Sequence, residues 1–301
     1  MAYNQHTLPK GVYSLLLTPY QSSGEIDYSA YERYVDWQLS HSPQALFAAC
    51  GSSELLHLTA DERVLLAAKA VAGAGQVLVV ATGNAGSDPL KHKEEMLRMA
   101  ETGVSAIVLI PPNGYGTDPQ RLYAYFAEMV EASPLPILLY EYPGVAPHLI
   151  PADVYDRLAN QHGVYGLKDT TCTMEGITAK IQAAPDSLIL QANTPYLLQA
   201  IEAGANGIMA ITSTAKANLN IRLFEHVMRR TSEDLQEAAR LHRELVCLDA
   251  LLSNGFTSTA KYLVNLQGIP FSTATRSGAA VSASAAKALA VWHDSLPSEW
   301  K

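Results

Sequence analysis

The feature that most constrains the fold of this chain is a regular alternation of short apolar runs and amphipathic stretches between residues 12 and 211. Eight runs are apolar without strict alternation of polar and apolar positions, which is typical of β-strands covered on both faces. These runs are residues 12–17, 45–50, 77–81, 106–110, 137–140, 164–167, 188–191 and 208–211. The pattern therefore predicts eight buried strands.

A segment with helical periodicity follows most of these runs. The segments are residues 31–39, 60–72, 89–100, 118–132, 151–159, 175–183 and 195–203. Several begin with capping signals, such as Thr59 with Glu62 three residues later, or Thr194 followed by Pro195. Strands that alternate with helices form parallel β-α units, and eight such units close into a barrel. We therefore predict an α/β fold of the (β/α)8 TIM-barrel type.

The rest of the chain indicates a helical extension of this barrel. Residues 218–301 have the pattern of three or four further helices, and no linker rich in Pro, Gly or Ser precedes them. We predict a barrel over residues 1–217 that carries the active site, and a C-terminal helical extension over 218–301 packed on it. The competing fold is an open sheet that binds dinucleotides, which needs a glycine-rich turn between a strand and a helix. Gly73-Ala74-Gly75 precedes a strand instead.

The net charge of the chain limits the classes of partner that it is expected to bind. There are 29 acidic and 21 basic residues, for a formal net charge of -8, and the longest basic run is Arg229-Arg230. Such a chain attracts neither nucleic acid nor an anionic membrane, so we expect neither as a partner.

Three widely spaced cysteines indicate reduced thiols. Because the first residues lack an apolar signal region and no segment approaches 18 apolar residues, we expect a cytoplasmic location, with an organelle matrix as the other default.

One lysine is notable because it ends an apolar strand. In a TIM barrel the active site forms at the carboxyl ends of the strands, and Lys168 alone among ten lysines is predicted there. Lys216, for comparison, is predicted in a solvated loop after strand eight. Two interpretations are open: Lys168 pairs with a carboxylate such as Asp169 or Glu141, or it is a nucleophile that forms a Schiff base with a carbonyl substrate. An apolar mouth favours the second role, because burial disfavours the ammonium ion and lowers the pKa of a lysine.

Other strand ends carry polar side chains that could serve the same site. Tyr140, at the end of strand five, is either an aromatic that fills the core or a proton relay beside the amine. Ser52 and Ser53 follow strand two. They either cap the next helix or bind a substrate carboxylate with hydroxyl and backbone N–H donors. The residues alone leave both pairs of alternatives open.

These residues resemble the dihydrodipicolinate synthase/N-acetylneuraminate lyase family of class I aldolases. That family has a Gly-Thr/Ser-Thr/Ser-Gly-Glu turn after strand two, a Tyr-x-x-Pro segment after strand five, and a lysine 28 residues beyond that tyrosine. Here the corresponding residues are Gly51-Ser52-Ser53-Glu54, Tyr140 with Pro143, and Lys168, which follows Tyr140 by 28 residues. Lys168-Asp169-Thr170 is similar to the lysine segment of members that cleave 2-keto-3-deoxy sugar acids.

The resemblance implies a role for each candidate residue. Lys168 would form the Schiff base with the C2 carbonyl of pyruvate or a longer 2-oxo acid, and Tyr140 would be the acid/base relay. No metal and no cofactor is implied, because the imine forms on the lysine itself, and the family implies a homotetramer or homodimer. The expected substrate-binding residues are Ser52 and Ser53 at the carboxylate, Met209 opposite the lysine, and Glu54 and Asn193 at the mouth.

The chain departs from the family pattern at several places. No glycine precedes Glu54 in the turn after strand two. Val145 occupies the position at which dihydrodipicolinate synthase has an arginine. Pro111-Pro112-Asn113 occupies the segment that donates an aromatic across a subunit contact, and Tyr115 could replace that aromatic only with a shifted loop. Asn193-Thr194 stands where the sialic acid lyases carry acidic residues.

The leading hypothesis is a lyase that converts a 2-oxo acid, such as a 2-keto-3-deoxy sugar acid or a 4-hydroxy-2-oxo acid, into pyruvate and an aldehyde. A hydro-lyase, acting as a dehydratase or deaminase, is an alternative because it uses the same imine. A metal-dependent aldolase is disfavoured because the nine histidines are scattered, and a phosphosugar barrel because residues 212–220 contain no glycine. The missing turn glycine supports a third alternative, an inactive relative that binds a 2-oxo acid or a protein partner.

Overall fold

The computed structural model describes residues 8–301, and residues 1–7 of the predicted barrel range 1–217 lie outside the described residues. Eight parallel strands close into a barrel in sequence order. The predicted (β/α)8 fold is therefore confirmed. The strands are β1 Gly11–Leu15, β2 Ala45–Ala48, β3 Leu78–Thr82, β4 Ala106–Leu109, β5 Ile137–Tyr140, β6 Gly166–Asp169, β7 Leu188–Gln191 and β8 Gly207–Ile208.

Helices surround the barrel and continue beyond it. In residues 8–301 they are α1 Tyr28–Ser40, α2 Ala60–Gly73, α3 His92–Ala100, α4 Pro119–Ala132, α5 Ala152–His162, α6 Met174–Ala183, α7 Leu197–Ala203, α8 Ser213–Arg229, α9 Ser232–Leu252, α10 Ser258–Leu266 and α11 Ala283–Ser295. The predicted boundary between residues 217 and 218 lies inside α8, which follows β8. Helices α9 to α11 make up the rest of the extension.

Strand residues alternate between an apolar cluster inside the barrel and a second one beneath the helices. On β5, Leu139 belongs to the outer cluster, while Leu138 and Tyr140 belong to the inner one. Tyr140 pairs in register with Lys168 of β6. Because alternate residues of a strand face opposite sides of the sheet, Lys168 faces the interior with Tyr140, and Leu167 packs outside.

A buried ionic cluster lies on the outer side of the same two strand ends. Glu141 and Asp169 are fully buried. Lys180 of α6 donates to Glu141 Oε1 and lies 3.5 Å from Asp169 Oδ1. The N–H groups of Ile150 and Thr170 donate to the Glu141 carboxylate at 2.7 and 2.9 Å. Burial, followed by the charge of Asp169, raises the pKa of Glu141, and Lys180 opposes this shift. We call Glu141, Asp169 and Lys180 the Glu141 cluster.

The prediction that Lys216 lies in a solvated loop is wrong. Lys216 is fully buried in α8, at a position where its backbone leaves helical geometry (φ -144°, ψ 53°). Its Nζ donates to the backbone oxygens of Trp300 at 3.3 Å and Lys301 at 3.0 Å. Burial lowers the pKa of Lys216 to about 8. Residues 300 and 301 thus fold back onto α8, a long-range contact that no local pattern reveals.

We expect Lys180→Met to lower the free energy of unfolding by about 3–5 kcal/mol, because it leaves the Glu141 carboxylate buried without its cation. The urea midpoint at one fixed protein concentration measures the change. The matched control is Lys69→Met, which breaks a largely exposed ion pair with Glu32 at 2.6 Å and should cost less than about 1 kcal/mol. Equal shifts of the urea midpoint for the two variants would show that the Glu141 cluster stabilises the fold no more than the ion pair between Lys69 and Glu32 does.

Candidate functional site

Lys168 lies inside the barrel mouth with only 3% of its surface exposed. Its Nζ is 4.1 Å from the centroid of the Tyr140 ring and 5.4 Å from that of Phe47. Within residues 8–301 this amine makes no hydrogen bond or ion pair, because the carboxylates of Glu141 and Asp169 are taken by another lysine. Burial lowers the pKa of Lys168 from 10.5 to about 8. The amine is therefore neutral in a useful fraction of molecules near neutral pH, as a nucleophile requires.

Tyr140 lies beside this amine and is also buried. Burial raises the pKa of its phenol well above the ordinary value, so the hydroxyl stays protonated and can donate. The Tyr140 ring packs at 6.1 Å from Phe47 and 5.4 Å from Tyr142, measured between centroids. A Cβ on Gly51 would lie 3.1 Å from the Tyr140 hydroxyl and 3.0 Å from the Tyr142 ring. The glycine after β2 thus allows the phenol to approach the strand-two turn.

The two serines of that turn differ in what their hydroxyls do. Ser53 Oγ donates to the Leu16 carbonyl at 2.6 Å and accepts from the Cys50 N–H at 3.1 Å, so it ties the turn to the segment after β1. Ser52 Oγ is buried and has no partner among the residues that the structure describes. A buried polar group without a partner costs about 1–3 kcal/mol. Ser52 is therefore the serine that is available to a ligand.

The position of Glu54 does not support the expectation that it contacts substrate. Its Oε1 accepts from Lys261 Nζ at 2.8 Å and from Thr257 Oγ1 at 3.1 Å. Its Oε2 accepts from the N–H groups of Arg276 and Ser277 at 2.8 and 2.9 Å. All four donors belong to the helical extension, and they occupy both carboxylate oxygens. The Glu54 backbone is left-handed (φ 61°, ψ 45°), a conformation that glycine adopts without steric cost.

Met209 follows β8 directly, and Asn193 follows the neighbouring strand β7 by two residues. Met209 is fully buried in the inner cluster that includes Tyr140. Asn193 follows β7, and its Nδ2 donates to the backbone oxygens of Thr170 at 2.7 Å and Thr171 at 3.1 Å. It therefore holds the segment that follows β6, and its amide oxygen is the part left for a ligand.

Sequence reasoning missed two aromatic side chains of the site: Phe47, which lies beside the amine, and Tyr142, which packs against Tyr140. Phe47 alternates into the inner cluster from β2, a position that strand periodicity could have assigned. Tyr142 follows Tyr140 by two residues, and burial raises its pKa to about 12. Its position inside the Tyr-x-x-Pro segment was the sequence signal that could have identified it. Tyr115, considered as a replacement for the missing aromatic, packs against Tyr125 at 5.5 Å between ring centroids.

Residues 8–301 contain neither a candidate membrane-spanning helix nor a cluster of potential metal ligands. No helix there is both long and apolar enough to cross a bilayer. That part of the chain also contains no group of three or more His, Cys, Asp or Glu side chains placed to hold a metal ion.

Solved structures share this barrel and the helices after it. One is YagE, a prophage protein of the dihydrodipicolinic acid synthase family from E. coli K12, crystallised in complex with pyruvate. It superposes with a TM-score of 0.87 at 19% identity, over 95% of this chain and 97% of that one. CdNal from Clostridium difficile, solved in complex with mannosamine, gives a TM-score of 0.86 at 17% identity, over 95% and 98% of the two chains. These likenesses define the class of fold.

Sequence comparison then gives the family. Residues 8–290 match the model of the Dihydrodipicolinate synthetase family, and the chain belongs to that family. A 4-hydroxy-tetrahydrodipicolinate synthase of Oceanobacillus iheyensis is 26% identical over 262 residues, 86% of this chain and 88% of the relative. The enzyme of the same name from Streptococcus mutans is 27% identical over 262 residues, 85% and 87% of the two chains. The predicted resemblance is confirmed, as is the coarse prediction of a lyase of the aldolase type.

Proposed function

We propose that the protein cleaves a 2-oxo acid to pyruvate and an aldehyde through a Schiff base on Lys168. The observation that carries this proposal is a buried amine with no carboxylate partner, whose pKa is lowered to about 8, beside the protonated phenol of Tyr140. Neither a structural ion pair nor a solvated lysine has these properties.

In the proposed reaction the neutral amine of Lys168 attacks the C2 carbonyl and forms a carbinolamine. The Tyr140 phenol supplies the proton with which the C2 oxygen leaves as water, and the iminium ion results. The iminium then accepts the electron pair of the C3–C4 bond as the C4 hydroxyl gives its proton to the Tyr140 phenolate and becomes the aldehyde. The restored phenol gives a proton to C3 of the enamine. Water then hydrolyses the resulting iminium, returns a proton to the phenolate, and releases pyruvate and the free amine.

The substrate carboxylate is proposed to accept a hydrogen bond from Ser52 Oγ. This hydroxyl has no described protein partner, and it belongs to the turn that Gly51 allows to approach the Tyr140 hydroxyl. A carboxylate bound there satisfies the hydroxyl and fixes the C2 carbonyl beside the amine. Orientation of this kind lowers the barrier by making the attack effectively intramolecular.

The aldehyde half of the substrate is proposed to be hydroxylated and uncharged. Val145 offers no donor to a second carboxylate. A cavity of about 570 Å³ borders Val145 and Arg63, but the Arg63 guanidinium is 3.2 Å from Glu95 in an ion pair. Arg276 is paired in the same way with Glu62, at 2.7 Å. A second carboxylate would therefore leave water without the forked donor that suits it, whereas hydroxyls can use the Asn193 amide oxygen.

Three further features remain part of this proposal. Family resemblance supports a homotetramer or homodimer and a cytoplasmic location. We also propose that residues 1–217 form the catalytic barrel and that residues 218–301 form the helical extension. A hydro-lyase reaction would use the same imine, so products must be identified in any assay of the protein.

Pyruvate with cyanoborohydride is expected to leave a stable adduct on Lys168, located by peptide mass spectrometry. Because the neutral amine attacks and the pKa is about 8, the rate of trapping should rise with pH and level off above about pH 8. Lys168→Met should abolish the adduct. An adduct on Lys216, whose pKa is also about 8, or no adduct with any 2-oxo acid tested, would refute the proposed mechanism.

Tyr140→Phe is expected to lower kcat by about 10²-fold, because a positioned proton donor is lost, while circular dichroism shows an unchanged fold. The matched control is Tyr13→Phe, a tyrosine of the same inner cluster whose hydroxyl donates to the Pro9 carbonyl at 2.9 Å. The control should retain near-normal turnover. If Tyr140→Phe stays within about threefold of the parent, another group carries the proton.

We expect aspartate semialdehyde to be a poor second substrate with pyruvate. Its carboxylate lacks a partner at Val145, and the Arg222 guanidinium donates to the Glu299 carbonyl at 2.9 Å. The loss of a buried charge-assisted partner costs several kcal/mol, or about two decades or more in kcat/KM. A coupled assay beside a panel of 2-keto-3-deoxy acids, with products identified, measures this. A kcat/KM for the semialdehyde above every panel member would overturn the expectation.

A further inference from the structure

The turn that carries Ser52 is closed by a residue that the helical extension holds. The Glu54 N–H donates to the Gly51 carbonyl at 3.1 Å, and Thr18 Oγ1 donates to the Ser53 carbonyl at 2.8 Å. The shape of the turn therefore depends on the left-handed backbone of Glu54 (φ 61°). This conformation is sterically unfavourable for a residue other than glycine, and it persists only where the surroundings enforce it.

The surroundings that enforce it are the four donors to the Glu54 carboxylate. We call Glu54, Lys261, Thr257 and the N–H groups of Arg276 and Ser277 the Glu54 cluster. Glu54 is 5% exposed and Lys261 is fully buried, so their 2.8 Å ion pair is shielded from water. Lys261 Nζ also donates to the Ala274 carbonyl at 2.7 Å, which binds it to the loop that supplies the two N–H groups. The cluster thus joins the strand-two turn to the extension through one carboxylate.

A second contact anchors the same loop without involving the turn. The Arg276 guanidinium binds both oxygens of Glu62 on α2, at 2.7 and 2.8 Å. The extension would therefore remain attached to the barrel if the Glu54 cluster were broken. Loss of the Glu54 cluster should therefore change the shape of the turn without detaching the extension. A substitution at Glu62 provides the matched control.

We propose that Glu54 and Lys261 are positioning residues for the substrate carboxylate: through them the helical extension fixes the strand-two turn so that Ser52 Oγ faces the ligand. This inference rests on the proposed function, because it concerns the carboxylate of a 2-oxo acid. Neither residue touches the substrate or the reacting atoms. Their loss should weaken recognition of the carboxylate and leave the chemistry of the Lys168 amine unchanged.

The experiment compares trapping of two carbonyl compounds by cyanoborohydride in the full chain. Pyruvate has the carboxylate, and acetone presents the same ketone without it. For Glu54→Gln and for the double variant Glu54→Gln/Lys261→Met, we expect the half-saturating pyruvate concentration to rise at least tenfold. The limiting rate with pyruvate and the rate with acetone should stay within about twofold. The double variant removes both buried charges together, so it keeps the test valid if a single buried charge prevents folding.

Glu62→Gln is the control, since it weakens the other anchor of the loop. It should leave the half-saturating pyruvate concentration and the acetone rate unchanged. The inference is overturned, while the proposed function stands, if Glu62→Gln has the same effect as the Glu54 variants, if acetone trapping falls in parallel with pyruvate trapping, or if half-saturation stays within threefold of the parent. Absence of an adduct in the unchanged protein overturns the proposed function and this inference with it.

Discussion

The site depends above all on the register between β5 and β6, which pairs Tyr140 with Lys168. Because side chains alternate along a strand, both face the barrel interior while Glu141 and Asp169 face the helices. A slip of one residue in either strand would exchange the two sets and place a carboxylate beside the Lys168 amine. The contact between Lys180 and both outer carboxylates is made only in the observed register, so the Glu141 cluster stabilises the arrangement that keeps the interior free of negative charge.

Four buried lysines show why burial alone does not identify a nucleophile. Lys180 and Lys261 are paired with carboxylates. Lys216 has a pKa of about 8, as Lys168 does, but its amine is occupied by two backbone carbonyls. Lys261 Nζ also lies over a ring, that of Tyr20 at 4.6 Å, but among these four lysines only Lys168 has ring faces beside its amine and neither a carboxylate nor a carbonyl partner within residues 8–301. Burial lowers the cost of losing the proton, and no acceptor there stabilises the ammonium ion, so the neutral amine is favoured.

The parts of this structure that sequence predicted are those with local causes. Strand and helix periodicity predicted the barrel, and the end of an apolar strand predicted the position of Lys168. The spacing from Tyr140 to Lys168 gave the family. The environments of Lys216 and Glu54 depend on partners 84 and 207 residues away in the chain, and no periodicity or short motif encodes such contacts. The same limit applied to the two serines. Ser53 Oγ is bonded to the Leu16 carbonyl and Ser52 Oγ has no described partner, a difference that depends on where the segment after β1 lies.

The absence of a glycine before Glu54 changes how the mouth of this barrel is built. A glycine would reach the left-handed conformation without help, so the barrel alone could form the turn. Glu54 adopts the same conformation with a steric cost of roughly 1–2 kcal/mol, which four hydrogen bonds from the extension offset, since charge-assisted bonds contribute about 1.5–3 kcal/mol each. The shape of the turn therefore depends on donors from the extension. Residues far along the chain thus hold the turn that follows the second strand.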